Sequence, residues 1–178
     1  MIKQLQFFVT GCQRSGTRFY AQHLAKINHI SFIDEEEFNV YNYSRLTEYL
    51  HRLKIKHFAI HAPALSHKID NFRADFPDAN LIWMYRDVTE SIISMQKISW
   101  EKSSAQIEYD ALYDIFISKL TSEESTKVFD DFSTILHKVI YMKYFIGRAY
   151  LAEGKIDSLQ PMKALEGLEG FKKSSFRI

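Results

Sequence analysis

A short glycine-containing segment near the amino terminus has the residue types of an anion-binding loop. It follows the apolar run Leu5–Thr10 and consists of Gly11, Cys12, Gln13, Arg14, Ser15, Gly16 and Thr17. Backbone N–H groups in such a loop, together with those that begin the next helix, form a concave site for a phosphate group. The guanidinium of Arg14 and the hydroxyls of Ser15 and Thr17 add side-chain donors. The segment therefore predicts a phosphate site.

The spacing of Gly11 and Gly16 matches the phosphate-binding loop of nucleoside triphosphatases, GxxxxGK[ST]. Two positions differ, because Thr17 stands where that motif has its lysine and Arg18 where it has the magnesium-binding hydroxyl. These differences disfavour a magnesium-dependent nucleoside triphosphatase. A P-loop kinase with Asp87 as its magnesium ligand is the alternative enzyme class, and magnesium dependence would reveal it.

A second candidate phosphate ligand follows another apolar run. Residues 81–85 are Leu-Ile-Trp-Met-Tyr, and the run ends abruptly at Arg86 and Asp87. Arg86 at the end of a strand can bind a phosphate through two parallel hydrogen bonds. Ser94 is placed two turns into the predicted next helix, where it can add a hydroxyl donor.

Together the two segments resemble the sulfotransferases that use 3′-phosphoadenosine 5′-phosphosulfate (PAPS). Residues 8–17 are similar to the family's 5′-phosphosulfate-binding loop, which commonly reads G-x-x-[RK]-S-G-T-T, with Arg18 in place of the second threonine. Residues 81–87, with Ser94, are similar to the family's 3′-phosphate-binding segment, although Val88 replaces the proline of R-[DN]-P. The resemblance extends, more weakly, to Phe171.

This resemblance implies a fold, a cofactor and a set of binding residues. The implied fold is the P-loop nucleotide-hydrolase-like sulfotransferase fold, and the implied cofactor is PAPS, with adenosine 3′,5′-bisphosphate as its product and no metal. The implied cofactor-binding residues are Gly11, Cys12, Gln13, Arg14, Ser15, Gly16, Thr17, Arg18, Arg86 and Ser94. Arg14 is also expected to offset charge on the departing bisphosphate.

Sulfuryl transfer to a hydroxyl requires a group that removes the proton of that hydroxyl. In branches of the family that act on protein tyrosine and on bacterial sugars or lipids, the base is a Glu just past the second strand, a place that Asp34–Glu37 occupies. Counting without gaps from Arg14 favours Glu35 as the base. Matching an acid followed by an aromatic residue favours Glu37, which precedes Phe38.

His61 is the rival base. His61-Ala62-Pro63 resembles the His-x-Pro that follows the third strand in cytosolic sulfotransferases, where the His is the base. The Lys that precedes this His by two in those enzymes is Ala59 here. His61 is alternatively an electrostatic or acid partner of a Glu base, and the sequence leaves both roles open.

The carboxyl-terminal residues fit the family in two ways. Gly167, Gly170 and Lys173 match a GxxGxxK loop that clamps the 3′-phosphate in cytosolic members. The other alignment places residues 156–171 on the late strand and helix of other branches, where the two glycines end a helix and there is no clamp. We favour the second alignment because it fits the chain length better.

Alternating strands and helices are expected to position these residues. Apolar runs predict strands over Leu5–Thr10, Ile30–Ile33, His57–His61 and Asn80–Tyr85. Helices are predicted over Ser15–Ile27, Ser44–Leu53, Ser66–Phe76, from Val88 onward, Ile107–Leu120 and Phe132–Glu153, the last with a core stripe at Tyr141, Tyr144 and Phe145. This order indicates a three-layer α/β fold with a central parallel sheet and a helix-rich carboxyl-terminal half. Ligands of such sheets lie beyond the carboxyl ends of the strands.

Composition limits the other possibilities. The 178 residues predict one sulfotransferase-like domain over 1–178, and a formal charge of +1 argues against nucleic acid as a partner. The single Cys12 excludes an internal disulfide framework, and no apolar run reaches the roughly 18 residues of a membrane span. We expect a cytoplasmic protein whose acceptor carries a hydroxyl: a small molecule, a glycan, a lipid or a protein tyrosine. A catalytically silent nucleotide-binding or interaction module is the alternative outside the enzymes.

Overall fold

The computed structural model describes residues 4–97, 102–120, 123–169 and 171. The strands are β1 (Gln6–Gly11), β2 (Ser31–Asp34), β3 (Phe58–His61), β4 (Asn80–Tyr85) and β5 (Ser158–Pro161). The helices are α1 (Thr17–Asn28), α2 (Tyr43–Leu53), α3 (Ile69–Asp75), α4 (Val88–Lys97), α5 (Lys102–Lys119), α6 (Glu123–Asp130) and α7 (Ile135–Ala152). Short 3₁₀ segments cover Glu35–Glu37, Pro63–Lys68 and Met162–Leu165.

The described strands form one parallel sheet in the order β2-β3-β1-β4-β5. Its central strands are apolar runs with helices on both sides, and Leu81–Met84 of β4 are at most 6 % exposed. The predicted α/β class with a central parallel sheet is confirmed. A late strand, β5, is also present within the residues 156–171 that the favoured alignment places on a late strand and helix.

The direction of each crossover decides which face of the sheet its helix covers. The connection from β1 to β2 runs toward one edge, and every later connection runs toward the other edge. Because parallel crossovers are right-handed, α1 covers one face together with Met162–Leu165, and α2, α3, α5 and α7 cover the opposite face. The connections that leave β1 and β4 therefore diverge, which opens a crevice beyond the carboxyl ends of these two strands.

Several helix boundaries differ from the prediction. The helix expected over Ser66–Phe76 is divided into a 3₁₀ segment, Pro63–Lys68, and α3, because Lys68 leaves helical geometry at φ −107° and ψ 18°. The helix expected from Ser15 begins at Thr17, since Gly16 has a φ of +85°. Helix α6 was not predicted.

Helix α7 lies directly against the sheet. A Cβ added at Gly147 would come within 2.5 Å of Nε1 of Trp83, so glycine allows this close approach. Trp83 is fully buried in β4. Among the described residues, no helix has both the length and the apolar character needed to cross a membrane.

Candidate functional site

The segment Gly11–Thr17 connects the central strand β1 to α1. Gly11 has a φ of +115°, and a Cβ there would lie 2.2 Å from the carbonyl oxygen of Met84, which accepts a hydrogen bond from the Cys12 N–H at 3.0 Å. Gly16 is the N-cap of α1 and provides no capping side chain. The first N–H groups of α1 thus have no side-chain cap, an arrangement that suits an anion.

Two side chains organise the middle of this loop. The hydroxyl of Ser15, which is fully buried, donates to the carbonyl oxygen of Cys12. Arg14 has a φ of +60°, in the left-handed region, and its Nε donates to Oγ of Ser94 on α4 at 3.1 Å. The loop and the β4–α4 segment were predicted as two separate phosphate-binding segments. The hydrogen bond from Arg14 to Ser94 shows that they are in direct contact.

Arg86 lies at the carboxyl end of β4 and is only 6 % exposed. Its Nε donates to Oε2 of Glu90 at 2.8 Å, and the Glu90 side chain is 51 % exposed. A carboxylate thus occupies one side of the guanidinium for which we predicted a phosphate. Asp87 has a local role, because its Oδ1 accepts the Glu90 N–H at 3.0 Å and caps the start of α4.

A chain of three polar side chains links β2, β3 and α1. Nε2 of His61 lies 3.0 Å from Oγ1 of Thr17, and Nδ1 of His61 lies 3.5 Å from Oδ1 of Asp34. Asp34 and His61 are opposite each other in the sheet register, which explains their proximity. Oδ2 of Asp34 lies 2.8 Å from Nε of Arg18, whose side chain is 55 % exposed. Arg18 thus pairs with Asp34 at the rim of the loop.

The acidic run that ends β2 divides into different environments. Glu35 is half-buried, and its Oε2 accepts the N–H of Ala64 at 3.2 Å. Glu37 closes a capping box, in which its Oε1 accepts the Asp34 N–H at 3.0 Å, and its other oxygen accepts the hydroxyl of Tyr49. The two donors to the Glu37 carboxylate are thus the Asp34 N–H, in the same segment, and the Tyr49 hydroxyl on α2. The structure gives Glu37 a capping role.

The pKa values of the neighbouring Asp34 and Glu35 shift in opposite directions. Burial raises the pKa of Glu35 above its ordinary value, and the attraction of His61 and the Ala64 N–H only partly oppose this. Burial also acts to raise the pKa of Asp34, but the hydrogen bond and charge of His61, the Glu36 N–H and Arg18 outweigh it and lower that pKa. Asp34 is therefore held as a carboxylate, whereas Glu35 is nearer to taking up a proton.

A buried ion pair that the sequence analysis did not identify lies behind the loop. Nζ of Lys143 on α7 lies 2.5 Å from Oε2 of Glu108 on α5, with side chains 0 % and 3 % exposed. Gln13 of the loop bonds to both partners. The signal that could have revealed Lys143 is its position as a single lysine within the apolar run Val139–Gly147.

Cys12 and the carboxyl terminus complete the predicted set. Burial raises the pKa of the Cys12 thiol to about 12, so the thiol stays protonated. Cys12 therefore contributes only its backbone groups to the loop. Of the predicted GxxGxxK clamp, Gly167 is described, with a φ of +99°, but Gly170 and Lys173 lie outside the described residues. Within the described part of the chain, no group of three or more His, Cys, Asp and Glu side chains is arranged to hold a metal ion.

Comparison with known proteins gives no family for this chain: no family model matches it, and no curated protein matches it.

Proposed function

We propose that this protein is a sulfotransferase that moves a sulfuryl group from PAPS to an acceptor hydroxyl. The observation that carries the proposal is the contact between Arg14 and Ser94, 3.1 Å from Nε to Oγ. It joins the two segments whose motifs resemble the 5′- and 3′-phosphate sites of that family, at the crevice where α/β sheets bind ligands. The same proposal includes a cytoplasmic location and an acceptor that carries a hydroxyl: a small molecule, a glycan, a lipid or a protein tyrosine.

The residues present fit a donor with two phosphate-bearing ends. The uncapped N–H groups of α1, the loop amides and the Thr17 hydroxyl suit the 5′-phosphosulfate. Arg86 suits the 3′-phosphate once Glu90, which is half-exposed, turns away from it. When bound, the donor supplies the sulfuryl group and a bisphosphate leaving group. Arg14 would stabilise the negative charge that develops on the leaving side.

Glu35 is the base that the environment favours. A general base works best when its pKa lies closer to the working pH, and pairs of acids whose pKa values are pushed apart mark acid–base sites. Glu35 and Asp34 form such a pair. In the proposed step an acceptor oxygen attacks sulfur, its proton passes to the Glu35 carboxylate, and the bond from sulfur to the phosphate oxygen breaks with its electron pair.

His61 is placed to assist by position and charge. Its Nε2 contacts the Thr17 hydroxyl in the loop, and its Nδ1 faces the Asp34 carboxylate. This places the imidazole between the proposed phosphate site and a carboxylate. We therefore assign His61 the electrostatic role and Glu35 the role of base.

A thermal-shift experiment tests the donor site. Adenosine 3′,5′-bisphosphate at about 100 times its Kd should stabilise the protein by about 2.7 kcal/mol, or on the order of 5–10 °C in Tm. AMP, and ATP with and without magnesium, are the comparison ligands. Arg86→Ala should abolish the shift, and Arg45→Ala, at an exposed position on α2, is the matched control.

The other outcomes point to the alternatives. A shift only with ATP and magnesium would replace the proposal by a P-loop kinase, against which the capping role of Asp87 already argues. Binding of the bisphosphate without turnover of PAPS on any hydroxyl acceptor would favour a silent nucleotide-binding module. No shift with any of these ligands would contradict the proposed donor site.

A further inference from the structure

A buried cluster connects α5 and α7 to the phosphate loop. It consists of Lys143 on α7, Glu108 on α5, Gln13 in the loop and the carbonyl of Pro63 after β3. Lys143 lies 2.5 Å from Glu108, 2.9 Å from Oε1 of Gln13 and 2.8 Å from the Pro63 oxygen. The side-chain amide of Gln13 donates in turn to Oε1 of Glu108.

The ammonium of Lys143 is enclosed by protein groups. It donates hydrogen bonds to Oε1 of Gln13 and to the Pro63 carbonyl, and it forms an ion pair with Glu108. Its side chain is also 0 % exposed. Lys143 is therefore arranged to hold protein groups in place. The carboxylate of Glu108 neutralises its charge within the core.

Stability alone does not account for a charge pair at this position. Two well-packed apolar side chains of similar volume usually stabilise a core as well as a buried ion pair does, because the pair loses its hydration. What an apolar pair cannot do is bond both ends of the Gln13 amide. Gln13 immediately precedes Arg14, whose left-handed backbone presents its guanidinium to Ser94.

We propose that the Lys143–Glu108 pair is a positioning unit that holds the phosphate loop in its anion-binding conformation through Gln13. The pair orders the loop, and this effect can be measured in the protein without any ligand. Its effect on donor affinity rests on the proposed function. Loosening the loop lowers the population that can bind, and apparent affinity falls in proportion to that population.

The test replaces the pair by apolar residues in the full-length chain, as Lys143→Met with Glu108→Leu. Hydrogen exchange of the peptide that spans residues 11–17 is measured without ligand, beside the Tm. We expect the loop amides to exchange at least about tenfold faster while Tm stays the same or rises. The bisphosphate Kd should weaken by about tenfold.

A second ion pair between the same helices is the matched control. Lys119 and Glu153 lie 2.6 Å apart at the other end of α5 and α7, away from the loop. Lys119→Met with Glu153→Leu should leave loop exchange and Kd unchanged. If the Lys143 and Glu108 double variant does not fold, Gln13→Met removes the link to the loop and keeps the pair; it should show the same faster exchange.

The outcomes separate this inference from the proposed function. Unchanged loop exchange in both the double variant and Gln13→Met would overturn the positioning role, whatever the ligand. Wild-type protein that does not bind the bisphosphate, yet shows the expected change in loop exchange, would overturn the donor and leave the positioning role standing. A loss of bisphosphate affinity with unchanged loop exchange would mean that Lys143 acts on the ligand directly, which also contradicts the inference.

Discussion

Replacing Glu35 by glutamine should raise stability and remove activity. The side chain keeps its shape, and the glutamine carbonyl can still accept the Ala64 N–H that Glu35 accepts at 3.2 Å, so a hydrogen bond worth about 1 kcal/mol is retained. What disappears is a half-buried negative charge, for which the cost of burial outweighs the attraction of His61. We expect a gain on the order of 1 kcal/mol, or about 2–4 °C in Tm.

The pH dependence of this gain has a definite sign. Because the pKa of Glu35 is raised in the folded state, the charged carboxylate opposes folding above that pKa, and stability increases as pH falls through it. The advantage of Glu35→Gln over the wild type should therefore be largest at neutral and alkaline pH. It should vanish below the ordinary pKa of a glutamate, where both the folded and unfolded chains carry the proton. Thermal denaturation between acid and neutral pH measures this.

Turnover provides the second readout of the same variant. Loss of a general base lowers kcat by roughly 10²–10⁴, and PAPS turnover with a responsive hydroxyl acceptor is the assay. Glu36→Gln is the matched control, since that neighbouring side chain is 74 % exposed. It should change neither stability nor rate. A Glu35→Gln protein that is less stable than the wild type at neutral pH, or that turns over normally, would refute the assignment of Glu35 as a half-buried base.

Three further substitutions probe the site. Arg14→Ala should lower kcat by roughly 10²–10³ in the same assay, because a preorganised cation on the leaving side is lost, and near-normal turnover would contradict this role. Glu90→Gln should tighten bisphosphate binding about threefold, as calorimetry would show, because it removes a half-exposed negative charge that competes with the phosphate for Arg86; weaker binding would mean that Glu90 supports the site. Gly11→Ala should destabilise the protein by about 1–3 kcal/mol in chemical denaturation, because Gly11 has a φ of +115° and the added Cβ would lie 2.2 Å from the Met84 carbonyl oxygen. Unchanged stability would argue against this loop geometry.

Four of the five described strands, β1 to β4, were predictable from local pattern. Asn80–Tyr85 is a continuous apolar run that ends at a charged pair, and β4 has these bounds. A continuous apolar run is typical of a strand that is buried on both faces of a parallel sheet. In this case the tertiary contacts therefore favour the same strand that the local pattern predicts. The 3₁₀ segment Pro63–Lys68 was less predictable, because its geometry depends on how the chain turns from β3 toward α3.

The choice between Glu35 and Glu37 needed the fold. In the sequence both are acids in one run, and two plausible alignments favour different residues. The structure gives Glu37 two partners, the Asp34 N–H and the Tyr49 hydroxyl on α2, and places Glu35 beside Ala64. Tyr49 and Ala64 are distant in sequence, so no local pattern could report these environments.

The sequence by itself determined the α/β class, the parallel sheet and the position of the loop Gly11–Thr17, because periodicity and glycine placement are local properties of the chain. Only the tertiary structure decided which charges meet at that loop. Lys143 and Glu108 are 35 residues apart in the chain, and a helix pattern identifies neither as the other's partner. Their ion pair depends on the packing of α5 against α7, which long-range contacts establish.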